Sequence, residues 1–196
     1  MPPETQAIHA RGIADLVAQG IASRSLPEGA TAPVFTLNDH NGTPVSSADL
    51  LRKGRLVICF IRGRWCPFCV GQMEAMNQIV PQIQRAQASL IAISPQTVQQ
   101  SFFMADQHKL RFPLLSDASN QVARQFGLTY RVPDFQQSVY RKVFTNLPFI
   151  NGDESWELPI PATYILDRDA TILYASVNPD YTERPEPLEI LKRIAG

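Results

Sequence analysis

The sequence predicts an α/β protein in which a central mixed sheet is covered by helices on both faces. Three observations lead to this fold class. Continuous apolar, β-branched runs such as RLVICFI at 55–61 are typical of strands buried on both faces. Segments with helical spacing of apolar residues alternate with these runs. Two further extended segments, ATYILD at 162–167 and TILYASV at 171–177, indicate a terminal antiparallel hairpin.

The chain before the first buried strand is predicted to contain a helix, a hairpin and a short second helix. Apolar residues at helical spacing predict an amphipathic helix over 6–23. Asn41-Gly42 lies between extended segments and is expected to form a tight hairpin turn. Ser47 is expected to cap a short helix that ends at Gly54.

The chain after the first buried strand continues the alternation of helices and strands. A helix is expected to run from the cysteine pair to about residue 87, and Pro81 is expected to kink or split it. The elements expected after it are, in order, a strand at 89–94, a crossover helix, a strand at 112–117, a short helix ending at Gly127, a longer segment at 129–160 with a helix at 135–145, the terminal hairpin and a last helix at 186–195.

Length, charge and hydropathy exclude several functional classes. The 196 residues suit one domain, and 18 basic residues balance 18 acidic ones. We therefore expect no attraction to nucleic acid or to an anionic membrane. No apolar run reaches the length of a membrane span, and the N-terminus lacks a signal-peptide pattern. A cytoplasmic location is expected, where thiols stay reduced and a close cysteine pair is more often catalytic than structural.

The segment FIRGRWCPFCVGQM at 60–73 contains the candidate catalytic residues, two cysteines that are three positions apart. Cys66 is expected at a helix N-terminus, where unpaired N–H groups and the helix dipole should lower the thiol pKa. Pro67 supports this register, since proline suits the first helical position. Arg62 and Arg64 could add positive potential, although the alternation leaves open which of them faces Cys66. A redox role requires Cys66 to be reachable from solvent.

Cys69 lies one helical turn after Cys66, so the pair is expected to form a disulfide without large motion. A structural zinc site would need about four ligands from paired clusters. The remaining candidates are Cys59, which is expected to be a small core residue, and three scattered histidines. We therefore favour a redox pair over a metal site, and we expect no metal and no cofactor.

Three stretches of the chain resemble known families. WCPFC resembles the WC-x-x-C centre of thioredoxin, and ATAPVFTLNDHNGTPVSSADL at 30–50 is similar to the opening of the peroxiredoxin (AhpC/TSA) family. The segment from Leu158 to Leu191 resembles the end of a bacterial peroxiredoxin-like branch. The resemblance implies a thioredoxin-like domain at 27–196, an N-terminal helical extension at 1–26, and an insertion at 129–160 before the strand that follows the family's cis-proline.

The resemblance also implies roles for single residues. Cys66 corresponds to the attacking, peroxidatic cysteine, and Cys69 to the second cysteine of thioredoxin. Pro161 corresponds to the cis-proline that faces the pair, and Ile160 would then offer backbone groups to a substrate. Trp65 would form a docking face beside the thiols, or it is simply a packing residue.

The sequence departs from the peroxiredoxin pattern at two positions. Peroxiredoxins have a proline seven residues and a threonine or serine three residues before the peroxidatic cysteine, where this chain has Cys59 and Gly63. The hydroxyl that would orient the peroxide is therefore absent. The candidates for the family's substrate-activating arginine are Arg62, Arg131 and Arg141.

Three functions follow from these observations. The leading hypothesis is a thiol peroxidase that reduces hydroperoxides and is regenerated by a thioredoxin-like reductant. The second is a thiol–disulfide oxidoreductase with little peroxidase activity. The third is a redox-sensing or partner-binding module that changes shape when the disulfide closes. The predicted sheet edges and N-terminal helix permit a homodimer without requiring one.

Overall fold

The structure is a computed structural model that describes residues 3–143 and 145–195. Helices and strands alternate along most of the chain, as the apolar patterning predicts. The elements are α1 (Pro3–Ala18), α2 (Ile21–Arg24), β1 (Thr36–Asp39), β2 (Pro44–Ser46), α3 (Ser47–Lys53), β3 (Arg55–Phe60), α4 (Pro67–Arg85), β4 (Ala88–Ser94), α5 (Val98–Gln107), β5 (Leu114–Ser116), a 3₁₀ turn (Ala118–Asn120), α6 (Gln121–Gln125), β6 (Thr129–Arg131), α7 (Asp134–Lys142), α8 (Leu147–Asn151), β7 (Glu157–Pro159), β8 (Ala162–Leu166), β9 (Ile172–Val177) and α9 (Pro187–Ala195).

The main sheet has seven strands in the order β2-β1-β5-β4-β3-β8-β9. Strands β3, β4 and β5 are parallel at its centre, whereas β1, β2, β8 and β9 join through antiparallel pairs. The sheet is therefore mixed, as predicted. The cysteine pair follows β3, which lies between β4 and β8.

Strand β3 divides the core into two layers. Val57 and Cys59 face a cluster formed with α4 and α9, whereas Leu56, Ile58 and Phe60 face a second cluster on the opposite side of the sheet. All five side chains are fully buried. This burial on both faces explains why the sequence of the strand is continuously apolar instead of alternating between apolar and polar residues.

Two local expectations are corrected by the structure, and a third is narrowed. The N-terminal helix ends at Ala18, and a left-handed Gly20 (φ 61°) separates it from α2, so 6–23 is not one helix. Ser46 caps α3 by accepting the N–H of Asp49, whereas Ser47 accepts the N–H of Phe35 at 2.9 Å. Helix α4 runs through Pro81 as one assigned helix rather than splitting there.

The segment at 129–160 folds into elements of its own rather than a plain loop. Strands β6 and β7 pair into a small antiparallel sheet, and α7 matches the helix expected at 135–145. Leu16 and Ile21 of the N-terminal helices pack in one apolar cluster with Tyr130 and Leu158 of this segment. The N-terminal helices are thus held against the segment that leads into β8. No helix among the described residues is long and apolar enough to cross a membrane.

Replacing Gly127 by alanine is expected to destabilise the fold by at least about 2 kcal/mol. Gly127 has φ +72°, and a Cβ there would lie 2.2 Å from the carbonyl oxygen of Arg24. The control is Gly71→Ala in α4, where an added Cβ has no neighbouring atom within 4 Å. This substitution should stabilise the helix by up to about 1 kcal/mol. Urea unfolding of both variants measures the difference, and equal midpoints would contradict the expectation.

Candidate active site

The two cysteines lie where β3 ends and α4 begins. Cys66 occupies the N-cap of α4 in an extended conformation (φ −95°), and Pro67 is the first helical residue. The first turn is closed by the N–H of Cys69, which donates to the carbonyl oxygen of Cys66 at 3.0 Å. All three cysteines are free thiols. The predicted placement of the pair at a helix N-terminus is confirmed.

Cys66 lies at a cavity of about 310 Å³. Cys66 is only 1% exposed. The cavity nevertheless opens to the surface, since two of its lining residues, Phe68 and Val143, are 41% and 59% exposed. Cys69 is fully buried and does not line the cavity. A small molecule that enters therefore meets Cys66. The other lining residues are His9, Arg62, Trp65, Pro67, Val139, Tyr140, Thr145 and Tyr181.

Arg62 is a buried cation at the wall of this cavity. Its guanidinium lies 4.7 Å from the ring centre of Trp65 and 4.0 Å from that of Tyr181, and it donates a hydrogen bond to the hydroxyl of Tyr140. Within the described part of the chain, no carboxylate forms an ion pair with it, and its Nε has no acceptor. An unneutralised cation in an apolar cavity favours a polar or anionic group beside Cys66.

The cysteine pair shares one negative charge, which donors from other parts of the chain stabilise at Cys69. Cys69 Sγ accepts the backbone N–H of Arg62 at 3.4 Å and lies 3.7 Å from Arg184 Nη2. Burial raises the pKa of Cys69, but the hydrogen bond from Cys66 and the charges of Arg184 and Arg62 outweigh it and lower that pKa to about 5. The pKa of Cys66 is raised, because its thiol bonds to Cys69 and is buried.

The expectation that the helix N-terminus lowers the pKa of Cys66 is therefore wrong for the reduced pair. The sequence shows where the helix begins, but it does not show the donors that reach Cys69 from other elements. Since one proton lies between two thiols in contact, Cys66 can pass it to Cys69 when a substrate arrives.

Acid is expected to inactivate the site below about pH 5. The pKa of Cys69 is lowered to about 5, so the pair carries its negative charge above that pH and loses it as the pH falls. We expect the rate of peroxide oxidation to be nearly constant between about pH 6 and 8 and to fall about tenfold per unit below pH 5. Stopped-flow rates across this range check the expectation, and a fall centred near pH 8 would contradict it.

Gly63 stands where peroxiredoxins have a threonine or serine, and the structure gives the reason. It has φ +142°, and a Cβ would lie 2.8 Å from the Trp65 Nε1 and 3.2 Å from the Gln96 Oε1. Gln96 in turn accepts the N–H of Arg64 at 2.7 Å. The loop has no room for a hydroxyl-bearing side chain at this position.

The expected roles of Pro161 and Ile160 are not supported. The described residues contain no cis peptide bond, so Pro161 follows a trans bond and the expectation of a cis-proline is wrong. The N–H of Ile160 already donates to the carbonyl oxygen of Leu128 at 2.8 Å, because β7 and the loop before β6 lie side by side. Neither residue lines the cavity of Cys66.

Of the three candidate arginines, Arg62 alone lines the cavity of Cys66. Arg131 faces Asp134 at 3.7 Å, and the guanidinium of Arg141 stacks 4.7 Å from the ring centre of Trp156. Both lie on the segment at 129–160, and neither side chain lines the cavity of Cys66. Trp65 lines the cavity and also packs on Tyr140, with ring centres 5.1 Å apart.

Two residues that the sequence did not single out as site residues reach the thiols or the cavity. Arg184 approaches Cys69 from the loop before α9, and His9 enters the cavity from α1. His9 Nδ1 lies 2.7 Å from the hydroxyl of Tyr181, and its pKa is lowered by burial and by the charge of Arg62. His9 belongs to no motif, and Arg184 lies in the segment from Leu158 to Leu191 without being singled out there, so only the fold shows what each side chain reaches. The described residues hold no group of three or more metal-ligating side chains.

Comparison with known proteins identifies the family. The sequence model of the AhpC/TSA family matches residues 29–175. The chain belongs to the AhpC/TSA family. It is 27% identical to the chloroplastic peroxiredoxin Q of Sedum lineare over 170 residues, which are 85% of this chain and 78% of that protein. It is 32% identical to the protein named putative peroxiredoxin Rv1608c of Mycobacterium tuberculosis over 100 residues, 51% of this chain and 65% of that one.

Solved structures confirm the predicted thioredoxin-like fold. The crystal structure of the peroxidoxin BcpB from Mycobacterium tuberculosis superposes with a TM-score of 0.68 at 23% identity, over 87% of this chain and 95% of that one. Peroxiredoxin 6 of Arenicola marina, as a cysteine-to-serine mutant, gives a TM-score of 0.69 at 19% identity, over 86% and 72% of the two chains. This AhpC/TSA chain is thus an oxidoreductase of the peroxiredoxin type, a thiol-dependent peroxidase.

Proposed function

We propose that Cys66 is the thiol that attacks the hydroperoxide and that Cys69 closes a disulfide with it. The observation that carries this proposal is that Cys66 lines the cavity while Cys69 lies behind it, fully buried and next to two positively charged arginines. Substrate thus meets the first thiol, and the second is held where it can react only with the first.

The proposed reaction begins with a proton transfer inside the pair. Cys69 thiolate takes the proton of Cys66, and the Cys66 thiolate attacks the terminal peroxide oxygen. The O–O bond breaks, Cys66 becomes a sulfenic acid, and the leaving alkoxide takes the proton back from Cys69 to give an alcohol. Cys69 thiolate then attacks the sulfenic sulfur, forms the disulfide and releases hydroxide.

Arg62 is proposed to hold the peroxide during the attack. Its guanidinium is always charged, is fixed by Trp65, Tyr140 and Tyr181, and has an Nε without an acceptor. A donor fixed in this way can stabilise charge that develops on the peroxide oxygens. The hydroxyl that Gly63 lacks would be replaced by this guanidinium, and Trp65 would form the adjoining wall.

The cycle closes when a thioredoxin-like dithiol reduces the Cys66–Cys69 disulfide. Phe68, between the two cysteines, and Val143 form an exposed apolar rim on which such a partner could dock. A cytoplasmic location would supply that reductant. We also propose that the chain consists of an extension at 1–26 and a domain at 27–196, and that it assembles as a homodimer.

A thiol–disulfide oxidoreductase is the second candidate, because WCPFC places a CxxC pair at a helix N-terminus. Cys66, however, lines a cavity of about 310 Å³ rather than an open surface. A cavity of this size suits a small hydroperoxide better.

Stopped-flow oxidation of the reduced protein tests the proposed function. Hydrogen peroxide and an organic hydroperoxide should each react at least about 10³-fold faster than free cysteine, with a change in fluorescence from Trp65 beside Cys66. Insulin disulfides should be reduced slowly by the same sample. Peroxide rates no faster than those of free cysteine, with rapid insulin reduction, would favour the second candidate instead.

A further inference from the structure

Arg184 gives the buried cysteine a charged partner of its own. We propose that Arg184 is a positioning residue that stabilises Cys69 as the leaving thiolate when the Cys66–Cys69 disulfide is reduced, and so directs the reductant to Cys66. This inference rests on the proposed function, because it concerns the second half of the same cycle. It assigns a role to a residue in the loop between β9 and α9 that the sequence analysis does not single out.

The guanidinium of Arg184 is fixed at all three nitrogens. Its Nη2 lies 3.7 Å from Cys69 Sγ, its Nε donates to Gln72 Oε1 at 2.9 Å, and its Nη1 donates to the carbonyl oxygen of Glu183 at 2.7 Å. Gln72 is itself anchored, since its Nε2 donates to Thr163 Oγ1 on β8 at 3.3 Å. A loop residue is thus tied through α4 to the central sheet.

The two arginines of the site differ in what their guanidinium groups contact. Arg62 directs its guanidinium to the cavity of Cys66, and only its backbone N–H donates to Cys69. Arg184 does not line that cavity and approaches Cys69 from the loop before α9. The neighbouring carboxylate of Glu183 accepts a hydrogen bond from Asn178, so it is held by a neutral partner. Arg184 therefore acts on Cys69 without occupying the substrate cavity.

The step balances with a dithiol as reductant. One thiolate of the dithiol attacks Cys66 Sγ, the disulfide breaks, and its electron pair goes to Cys69, which leaves as the thiolate beside Arg184. The second thiol of the dithiol then attacks the mixed disulfide and passes its proton to Cys66. The products are the oxidised dithiol, the Cys66 thiol and the Cys69 thiolate. A sulfur leaves faster when its thiolate is stabilised, so attack at Cys66 is preferred.

The redox equilibrium with dithiothreitol at pH 7 tests the inference without any peroxide. In Arg184→Gln the reduced form should lose thiolate stabilisation, so the equilibrium constant for disulfide formation should rise about tenfold, equal to a potential about 30 mV more negative. Dithiothreitol should reduce the disulfide of this variant correspondingly more slowly. Arg184→Lys keeps the charge and should lie between the two proteins. Arg168→Gln, in the turn at the far end of β8, should match the unsubstituted protein.

The outcomes separate this inference from the proposed function. A constant for R184Q within twofold of the unsubstituted protein would overturn the inference, as would an equal shift in R168Q. If R184Q unfolds, the variant R184K decides the question. An equilibrium constant for disulfide formation in R184K that equals that of the unsubstituted protein, or that shifts toward easier reduction, would overturn the inference. A protein inactive toward peroxide could still show the shift in R184Q, whereas a peroxidase with no shift would keep the proposed function and lose this inference.

Discussion

Replacing Cys66 by serine is expected to lower the second-order rate constant with hydroperoxide by about 10⁴-fold or more. A hydroxyl in the same place stays protonated at neutral pH and cannot form a sulfenic acid. The cavity, Arg62 and Cys69 would all remain, so the loss isolates the sulfur that lines the cavity. Peroxide consumption under single-turnover conditions measures it.

The matched control is Cys59→Ala. Cys59 is fully buried on β3, burial raises its pKa to about 12, and it does not line the cavity. This variant should keep the rate within about twofold, because an inert core thiol takes no part in the chemistry. If Cys66→Ser kept its rate while Cys69→Ser lost it, the proposed order of attack would be reversed.

Replacing Arg62 by glutamine is expected to lower the same rate constant by about 10²-fold, the usual effect of removing one fixed donor from a developing charge. Glutamine removes the buried cation and its free Nε from the cavity wall. It also removes one of the charges that lower the pKa of Cys69, so the acid limb of the pH profile should move upward. Stopped-flow rates at several pH values separate the two effects.

Two further variants make the result at Arg62 interpretable. Arg64 is the adjacent arginine, but its Nε donates to Gln100 Oε1 at 2.7 Å and it does not line the cavity. Arg64→Gln should therefore change the rate less than about threefold. Arg62→Lys keeps a charge in the buried site and should recover part of the rate. Equal losses in Arg62→Gln and Arg64→Gln would mean that general charge, rather than a placed guanidinium, accelerates the attack.

The elements that carry the fold were predictable from local pattern. Strand β3 is buried on both faces, so its whole run is apolar, and Pro67 can begin a helix because its missing N–H costs nothing there. These features depend on neighbours in the sequence. The place of Cys66 at the N-terminus of α4 followed from them.

The electrostatics of the site were not predictable, because they depend on residues distant in the chain. Arg184 is 115 residues from Cys69, and no pattern in its loop indicates that it turns toward a thiol. His9 reaches the cavity only because the N-terminal helices pack on the segment at 129–160. The bond before Pro161 is trans, so the cis-proline implied by the resemblance to thioredoxin does not carry over to this position.

The most direct test is to map the oxidised thiols after the reduced protein meets one equivalent of an organic hydroperoxide. Free thiols would be alkylated in denaturant within milliseconds, and the peptides analysed by mass. We predict a disulfide between Cys66 and Cys69, with Cys59 alkylated and one alcohol formed per disulfide. Unoxidised cysteines with the hydroperoxide unconsumed, or oxidation confined to Cys59, would contradict the account.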